Sequence, residues 1–104
     1  MTTFDDRERA FESQFARDEE LQFKAGARRN RLLGEWAAGL LGKSETETEA
    51  YCKEVVRSDF AQAGDDDVLR KVAGDLQGKA DESEVRKKMD ELMIIARQQL
   101  QAGA

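Results

Sequence analysis

Acidic residues are the first candidates for chemistry in this chain of 104 residues. Asp65, Asp66 and Asp67 are three consecutive carboxylates, and carboxylate oxygens are the ligands that calcium and magnesium prefer. However, the spacing of an EF-hand and its terminal glutamate are missing, and three acids directly before a helical pattern are typical of a helix N-terminus. We therefore interpret them as helix-capping residues, and we predict neither a metal nor another cofactor.

Two further features could form a polar site. Asp59 is predicted to lie on the apolar side of its helix, where it either pairs with a base on a neighbouring helix or helps to shape a site. Four basic residues also lie close together in the sequence, namely Lys24, Arg28, Arg29 and Arg31. Such a cluster is typical of a solvated helix face, and an anion or a partner contact is the alternative.

Residues of the common catalytic sites are missing. The chain contains no histidine, which excludes Ser-His-Asp and Cys-His arrangements and histidine-based metal sites. Its glycines do not form a phosphate-binding loop. The lone Cys52 excludes an intrachain disulfide, and we interpret it as a small apolar residue on a helix face. We predict that the protein is not an enzyme.

Protein binding is better supported, because the N-terminal segment is unusually rich in phenylalanine. Four of the five phenylalanines lie in the first 23 residues, among charged neighbours. Phe4, Phe11 and Phe15 are spaced by seven and four residues, which places them within roughly 40° of one another on a helix. This aromatic stripe either packs on the rest of the protein or inserts into a groove of a partner, where a few aromatic residues supply most of the binding energy.

The elements that must position these residues are predicted to be helices. The chain has no proline and consists mainly of good helix formers. Thr3 and Asp6 form a capping-box pattern that predicts a helix from about Phe4. The face that bears the phenylalanines becomes polar at Asp18 and Arg29, so only the C-terminal end of this helix is expected in the core. Gly26 is a possible flexing point within that polar region.

The segment from Arg28 to Gly42 is predicted to be the central helix of the core. Its apolar stripe consists of Leu32, Leu33, Trp36, Ala37, Leu40 and Leu41. Three more helices are predicted, from Ser44 to about Ala63, from Asp65 to Gly78, and from Asp81 onward. The inward residues of the second helix are Tyr51, Cys52, Val55, Val56 and Ala63, with Phe60 at the margin. Those of the third helix are Val68, Leu69, Val72 and Leu76. Those of the fourth are Val85, Met89, Leu92, Met93, Ala96 and Leu100.

These helices predict an all-α protein in two parts. Residues 1–20 form an N-terminal arm that is mobile or partly helical, and residues 21–104 form a small four-helix bundle. The net charge of −5 disfavours nucleic acid as a partner. No run approaches the ~20 apolar residues of a membrane span, and the N-terminus does not resemble a secretion signal. We therefore expect a cytoplasmic protein.

Several segments resemble one protein family. They are MTTFDDRERAFESQF and FKAGARRN in the first helix, LLGEWAAGLLG in the central stretch, and AYCKEVVRSDF and AGDDDVLRKV further on. Together with the last helix, they resemble the zeta subunit of alphaproteobacterial F-type ATP synthases, a small inhibitor of the ATPase. The similarity extends over essentially the whole chain.

The resemblance implies a four-helix bundle preceded by an inhibitory arm. In this family the arm is thought to enter the catalytic interface between the alpha and beta subunits, near gamma, and to block rotation in the hydrolytic direction. Carried onto this sequence, the inhibitory element is about Thr2 to Glu19, in a protein expected to be monomeric when free. The expected partner-binding residues are Phe4, Phe11 and Phe15 as anchors, with Arg7, Glu8, Arg9 and Glu12 as polar contacts.

Two other functions stay open at this point. A stand-alone regulatory or adaptor module would use the same phenylalanine stripe on a different groove. A bundle that binds a small ligand or nucleotide would be lined by Trp36, Asp59 and the basic cluster from Lys24 to Arg31.

Overall fold

The chain folds into four α-helices. The structure, a computed structural model, describes the backbone of residues 3–59 and 65–102 and the side chains of residues 20–59 and 65–102. The helices are, in chain order, α1 (Thr3–Leu40), α2 (Glu45–Arg57), α3 (Asp66–Asp75) and α4 (Glu82–Gln101). This architecture confirms the predicted all-α four-helix bundle.

Capping boxes are present at the predicted starts of the second and fourth helices. At the start of α2, the Glu47 amide donates to Ser44 Oγ at 3.2 Å, and the Ser44 amide donates to Glu47 Oε1 at 2.8 Å. Asp81 and Glu84 form the same reciprocal pair at the start of α4. Each box satisfies two amide groups that the helix cannot pair internally. The capping box predicted at Thr3 and Asp6 lies outside the described side chains.

Gly42 follows the end of α1 as predicted, whereas α3 ends at Asp75, and Gly78 lies in the turn after it and not at the predicted end of the helix. Gly42 has φ of +70° and Gly78 has φ of +85°, a left-handed conformation that favours glycine. After α1, the Lys43 amide donates to the Ala38 carbonyl at 3.0 Å. This bond spans six residues and is the mark of a Schellman ending.

The α2–α3 connection differs from the prediction. α2 ends at Arg57 rather than near Ala63, because Ser58 Oγ donates to the Val55 carbonyl and Asp59 contacts a side chain of α1. Phe60 and Ala63 lie outside the described residues. At the start of α3, Asp65 occupies the N-cap position but makes no side-chain capping bond, so the capping interpretation of this acid is wrong in detail.

The core lies where α1 packs against α2 and α4, with α3 closing the bundle against α4 and α2. Its buried members include most of the predicted apolar residues, namely Leu33, Ala37, Tyr51, Val55, Val68, Leu69, Val72, Leu76, Val85, Met89 and Leu92. Leu32, Trp36 and Leu41 are partly buried against them. Leu40 was predicted to be buried but is exposed, and Ala38 is buried instead. Leu40 is 41% exposed, although Leu41, one residue later, packs against the core.

α1 and α2 approach each other closely at Cys52. It is buried, as the prediction of a small residue on a helix face requires, and its Sγ donates to the Arg31 carbonyl at 3.4 Å. Burial raises the pKa of its thiol. Opposite it, a Cβ atom on Gly34 would lie only 2.9 Å from Cys52 Cα and 3.0 Å from its Sγ. Glycine is therefore required at position 34 for this approach.

Candidate protein-binding arm and the polar contacts at its base

The described side chains of α1 change from exposed to buried at Ala25. Ala25 is fully buried, whereas all five described side chains before it, from Glu20 to Lys24, are exposed. Among the described side chains of α1, burial therefore begins five residues after the end of the predicted arm. None of the described helices is long and apolar enough to cross a membrane.

The predicted partner-binding residues belong to α1, but their side chains lie outside the described part of the chain. They are Phe4, Arg7, Glu8, Arg9, Phe11, Glu12 and Phe15. The backbone of α1 is helical through all of them and through Gly26, the predicted flexing point. Helical spacing is the condition on which the predicted aromatic stripe depends.

Phe23 is a surface residue that the sequence-based stripe omitted. Its side chain is 79% exposed, and Leu21 nearby is 42% exposed. Leu21 borders a notch with Arg97 and Leu100 of α4, at the end of the bundle where α1 leaves it. Phe23 lies roughly 100° around the helix from Phe4, which is why periodicity did not include it. The sequence does indicate a surface role for Phe23 in one respect, because it is the fourth phenylalanine in a charged segment.

The predicted basic cluster does not form one surface. Lys24 Nζ pairs with Glu20 at 3.2 Å, and Arg28 Nη1 lies 3.5 Å from Gln99 Oε1 of α4. Arg31 pairs with Glu35 on its own helix and with Glu49 on α2. That contact raises the pKa of Arg31 and lowers the pKa of Glu49. These charges are balanced within the chain, which weakens the prediction of an anion site.

The fourth base, Arg29, is buried, contrary to the expectation that this face of the helix must stay outside the core. It is 2% exposed, and Asn30 beside it is 1% exposed. Arg29 Nη2 donates to Asp65 Oδ1 at 2.8 Å, and Arg29 Nε donates to Asn30 Oδ1 at 2.7 Å. Asn30 Nδ2 then donates to Asp59 Oδ2 at 3.0 Å. The partner of Asp59 is thus an amide and not the predicted base.

We call Arg29, Asn30, Asp59 and Asp65 the polar clasp. It joins α1 to the residues that immediately follow α2 and immediately precede α3. A buried charge is tolerated only when it is paired and hydrogen-bonded, and Arg29 meets this condition through both Asp65 and Asn30. The hydrogen bond from Arg29 holds the pKa of Asp65 below its usual range.

Acidification is expected to remove the stabilisation that Asp65 provides. Its pKa is lower in the folded chain, so its carboxylate stabilises the fold above the unfolded-state pKa of about 4. This contribution is lost as the pH falls from there through the folded-state pKa. The free energy of unfolding should therefore differ between wild type and Asp65→Asn at neutral pH, and the difference should shrink as the pH falls below about 4.

Urea unfolding at a series of pH values measures this difference. Asp66→Asn removes the same charge one residue further along and serves as the control for effects on the helix dipole. A difference between wild type and Asp65→Asn that is as large at pH 2 as at pH 7 would contradict the role given to the ion pair.

The residues proposed to line a ligand site are engaged with separate partners. Trp36 contacts Lys88, whose Nζ lies 5.7 Å from the ring centroid, whereas Asp59 is bonded to Asn30. Asn30 and Trp36 lie about 120° apart around α1. In residues 20–59 and 65–102, no group of three or more His, Cys, Asp or Glu side chains is arranged to hold a metal ion.

A second polar cluster fastens α2 to α3. The Tyr51 hydroxyl donates to Asp75 Oδ2 at 2.8 Å, and Lys71 Nζ donates to the same oxygen at 2.8 Å. Burial, followed by the bond to Asp75, raises the pKa of Tyr51. Burial alone would raise the pKa of Asp75, but the bonds from Lys71 and Tyr51 lower it below its usual range. These groups satisfy one another and hold the two helices together.

These features define a small helical domain with a long first helix, on which Leu21 and Phe23 are exposed. The family model of the ATPase inhibitor subunit zeta matches residues 1–99, and the chain belongs to this family. The match confirms the resemblance noted in the sequence, and the family name denotes an inhibitor subunit of an ATPase.

Comparison with solved structures agrees with the fold. One chain whose structure was solved by NMR in solution is 55% identical in sequence and superimposes with a TM-score of 0.74. The alignment covers 81% of this chain and 99% of the other. Among curated proteins, none matches this chain.

Proposed function

We propose that this chain is a noncovalent inhibitor of ATP hydrolysis by the F-type ATP synthase. Its N-terminal arm inserts at the catalytic interface between the alpha and beta subunits, near gamma, and blocks rotation in the hydrolytic direction. The chain has no catalytic role and needs no cofactor. It acts as a monomer in the cytoplasm, where it is attached to the membrane-bound enzyme through the catalytic head.

The extension of α1 beyond the bundle is the observation that supports this proposal best. α1 begins at Thr3, and the first of its described side chains to be buried is that of Ala25. At 1.5 Å per residue, the intervening helix is roughly 33 Å long, which is enough to enter a cleft between two subunits. A helix with aromatic residues on one face is one of the recurring ways in which a peptide occupies a groove.

The test is ATP hydrolysis by the cognate catalytic head with increasing amounts of the full-length chain. A saturable loss of hydrolysis supports the proposal, and retention of the alpha and beta subunits on the immobilised chain identifies the target. Hydrolysis that is unchanged at saturating protein would refute it. Retention of a different protein would favour an adaptor module instead.

We include Phe23 in the proposed contact surface. The side chain of Phe23 is 79% exposed. Aromatic residues are enriched at the positions that dominate binding energy. It lies on the same helix as the arm and only three residues beyond it. A target that encloses residues 2–19 therefore comes close to the Phe23 ring.

Replacing Phe23 with Ser is expected to weaken inhibition by about 5- to 10-fold, the loss typical of an aromatic contact at an interface. Stability should change little, because the side chain is exposed in the bundle. The concentration that halves ATP hydrolysis measures the effect.

The matched control is Ile94→Ser on α4, where the side chain is 58% exposed. It removes a comparable apolar group from a helix that does not extend past the bundle. Equal inhibition by wild type and Phe23→Ser, or an equal loss in the two variants, would exclude Phe23 from the contact.

A further inference from the structure

The polar clasp lies on a part of α1 whose buried residues include no large apolar side chain. Among the described side chains of α1, Leu33 is the first large apolar one that is fully buried, and on its N-terminal side the buried residues are Ala25, Arg29 and Asn30. Ala25 contributes only a methyl group. The attachment of α1 between Ala25 and Leu33 therefore depends chiefly on polar contacts. In the rest of the bundle, by contrast, the helices are held by an apolar core and polar contacts only add to it.

Arginine suits this position for a geometric reason. Its Nη2 and Nε atoms donate in different directions at once, to Asp65 at 2.8 Å and to Asn30 at 2.7 Å. A lysine presents a single ammonium group and cannot reproduce this fixed pair of bonds. Asn30 extends the chain of bonds to Asp59, so that one turn of α1 holds both ends of the α2–α3 connection.

We propose that the polar clasp determines where the bundle-held part of α1 ends and the arm begins, and so positions the arm for docking. This inference rests on the proposed inhibitory function. With the clasp intact, α1 is held as far as Ala25; without it, α1 is held only from about Leu33 onward. The residues released in between add conformational freedom that must be lost when the arm binds. Arg29 and Asp65 are therefore positioning residues for an arm that they do not contact.

Arg29→Met is the most informative substitution. Methionine keeps much of the length and volume of the side chain, and replacing a buried charge with an apolar group is often tolerated. Asp65 is left without its partner, but its side chain is 58% exposed and can be solvated. The matched control is Arg31→Met on the same helix, which breaks a surface pair with Glu49.

Amide hydrogen exchange of the full-length chain tests the inference without reference to inhibition. In wild type and in Arg31→Met, we expect slow exchange in α1 to begin near Arg29, whose amide bonds to the carbonyl of Ala25 in a regular helix. In Arg29→Met, this boundary should move to about Leu33 or beyond, while α4 keeps its protection. An unchanged boundary in Arg29→Met would overturn the inference.

If Arg29→Met loses protection from exchange in every helix, Asp65→Ala is used in its place. This variant breaks the same hydrogen bond by removing the exposed carboxylate and leaves Arg29 unchanged. A boundary that stays in place in Asp65→Ala overturns the inference in the same way. A boundary that moves supports it.

Inhibition of ATP hydrolysis supplies the second measurement. Arg29→Met should inhibit about 3- to 10-fold more weakly than wild type, because its arm has more freedom to lose on binding, and Arg31→Met should stay within about 2-fold. Inhibition by Arg29→Met that equals wild type overturns the positioning role. Failure of the proposed function is recognised separately, because wild type itself then leaves hydrolysis unchanged.

Discussion

A chain that begins at Leu21 is expected to lose inhibition of ATP hydrolysis by about 100-fold or more. The truncation removes Phe4, Phe11 and Phe15, and aromatic anchors of this kind typically contribute about 2 kcal/mol or more each to binding. The bundle should survive the truncation, because the described buried side chains begin at Ala25. The loss of inhibition would then reflect the missing arm and not an unfolded protein.

Hydrolysis by the cognate catalytic head measures this effect, and circular dichroism with thermal unfolding verifies that the shortened chain is folded. If both chains inhibit equally, the bundle is the inhibitor and the arm mechanism is wrong. If the shortened chain fails, single alanine substitutions of the three phenylalanines show which of them binds. Their ranking would test whether the predicted stripe is the face that meets the target.

Gly34→Ala is expected to destabilise the bundle by about 1–2 kcal/mol, although alanine is the better helix former. Helix propensity alone favours alanine by about 1 kcal/mol. The added Cβ would lie 2.9 Å from Cys52 Cα and 3.0 Å from Cys52 Sγ, and forcing extra atoms into a packed contact costs about 1–3 kcal/mol. The contact with Cα involves backbone, so α1 and α2 must move apart and the packing term should prevail.

Gly26→Ala is the matched control on the same helix. A Cβ at position 26 meets no atom within 4 Å, so this variant should be more stable than wild type by about 0.5–1 kcal/mol. Urea unfolding of the two variants beside wild type gives both values. A Gly34→Ala variant as stable as Gly26→Ala would show that α1 and α2 do not approach as closely as the structure indicates.

A substitution of Cys52 tests whether the contact between positions 34 and 52 causes the loss of stability in Gly34→Ala. Cys52→Ala removes the Sγ atom but leaves the Cα atom in place, so it should restore only part of the stability that Gly34→Ala loses. The double-mutant cycle isolates the coupling between the two positions, since the Cβ added by Gly34→Ala would touch Cys52 directly. Full restoration would assign the whole clash to Sγ.

Local features of the sequence were sufficient to place the helices. Ser44 with Glu47 and Asp81 with Glu84 predict helix starts, because a capping box satisfies amide groups within four residues of each other. Gly42 predicts the end of α1, because the left-handed turn there favours glycine. Inward faces followed from helical periodicity in the same way, as the buried residues of α3 and α4 show. The segments that resemble the zeta family pointed to the same class that the family match establishes.

Tertiary contacts decided what these local rules could not. Arg29 looks like a solvated base in the sequence and is buried because Asp65, 36 residues away, pairs with it. α2 stops before its predicted end, and Asp59 turns toward Asn30. Gly34 looks like any helix glycine until Cys52 is placed against it. Caps and periodicity act within a few residues, whereas burial depends on partners brought together by folding, which a single sequence does not identify.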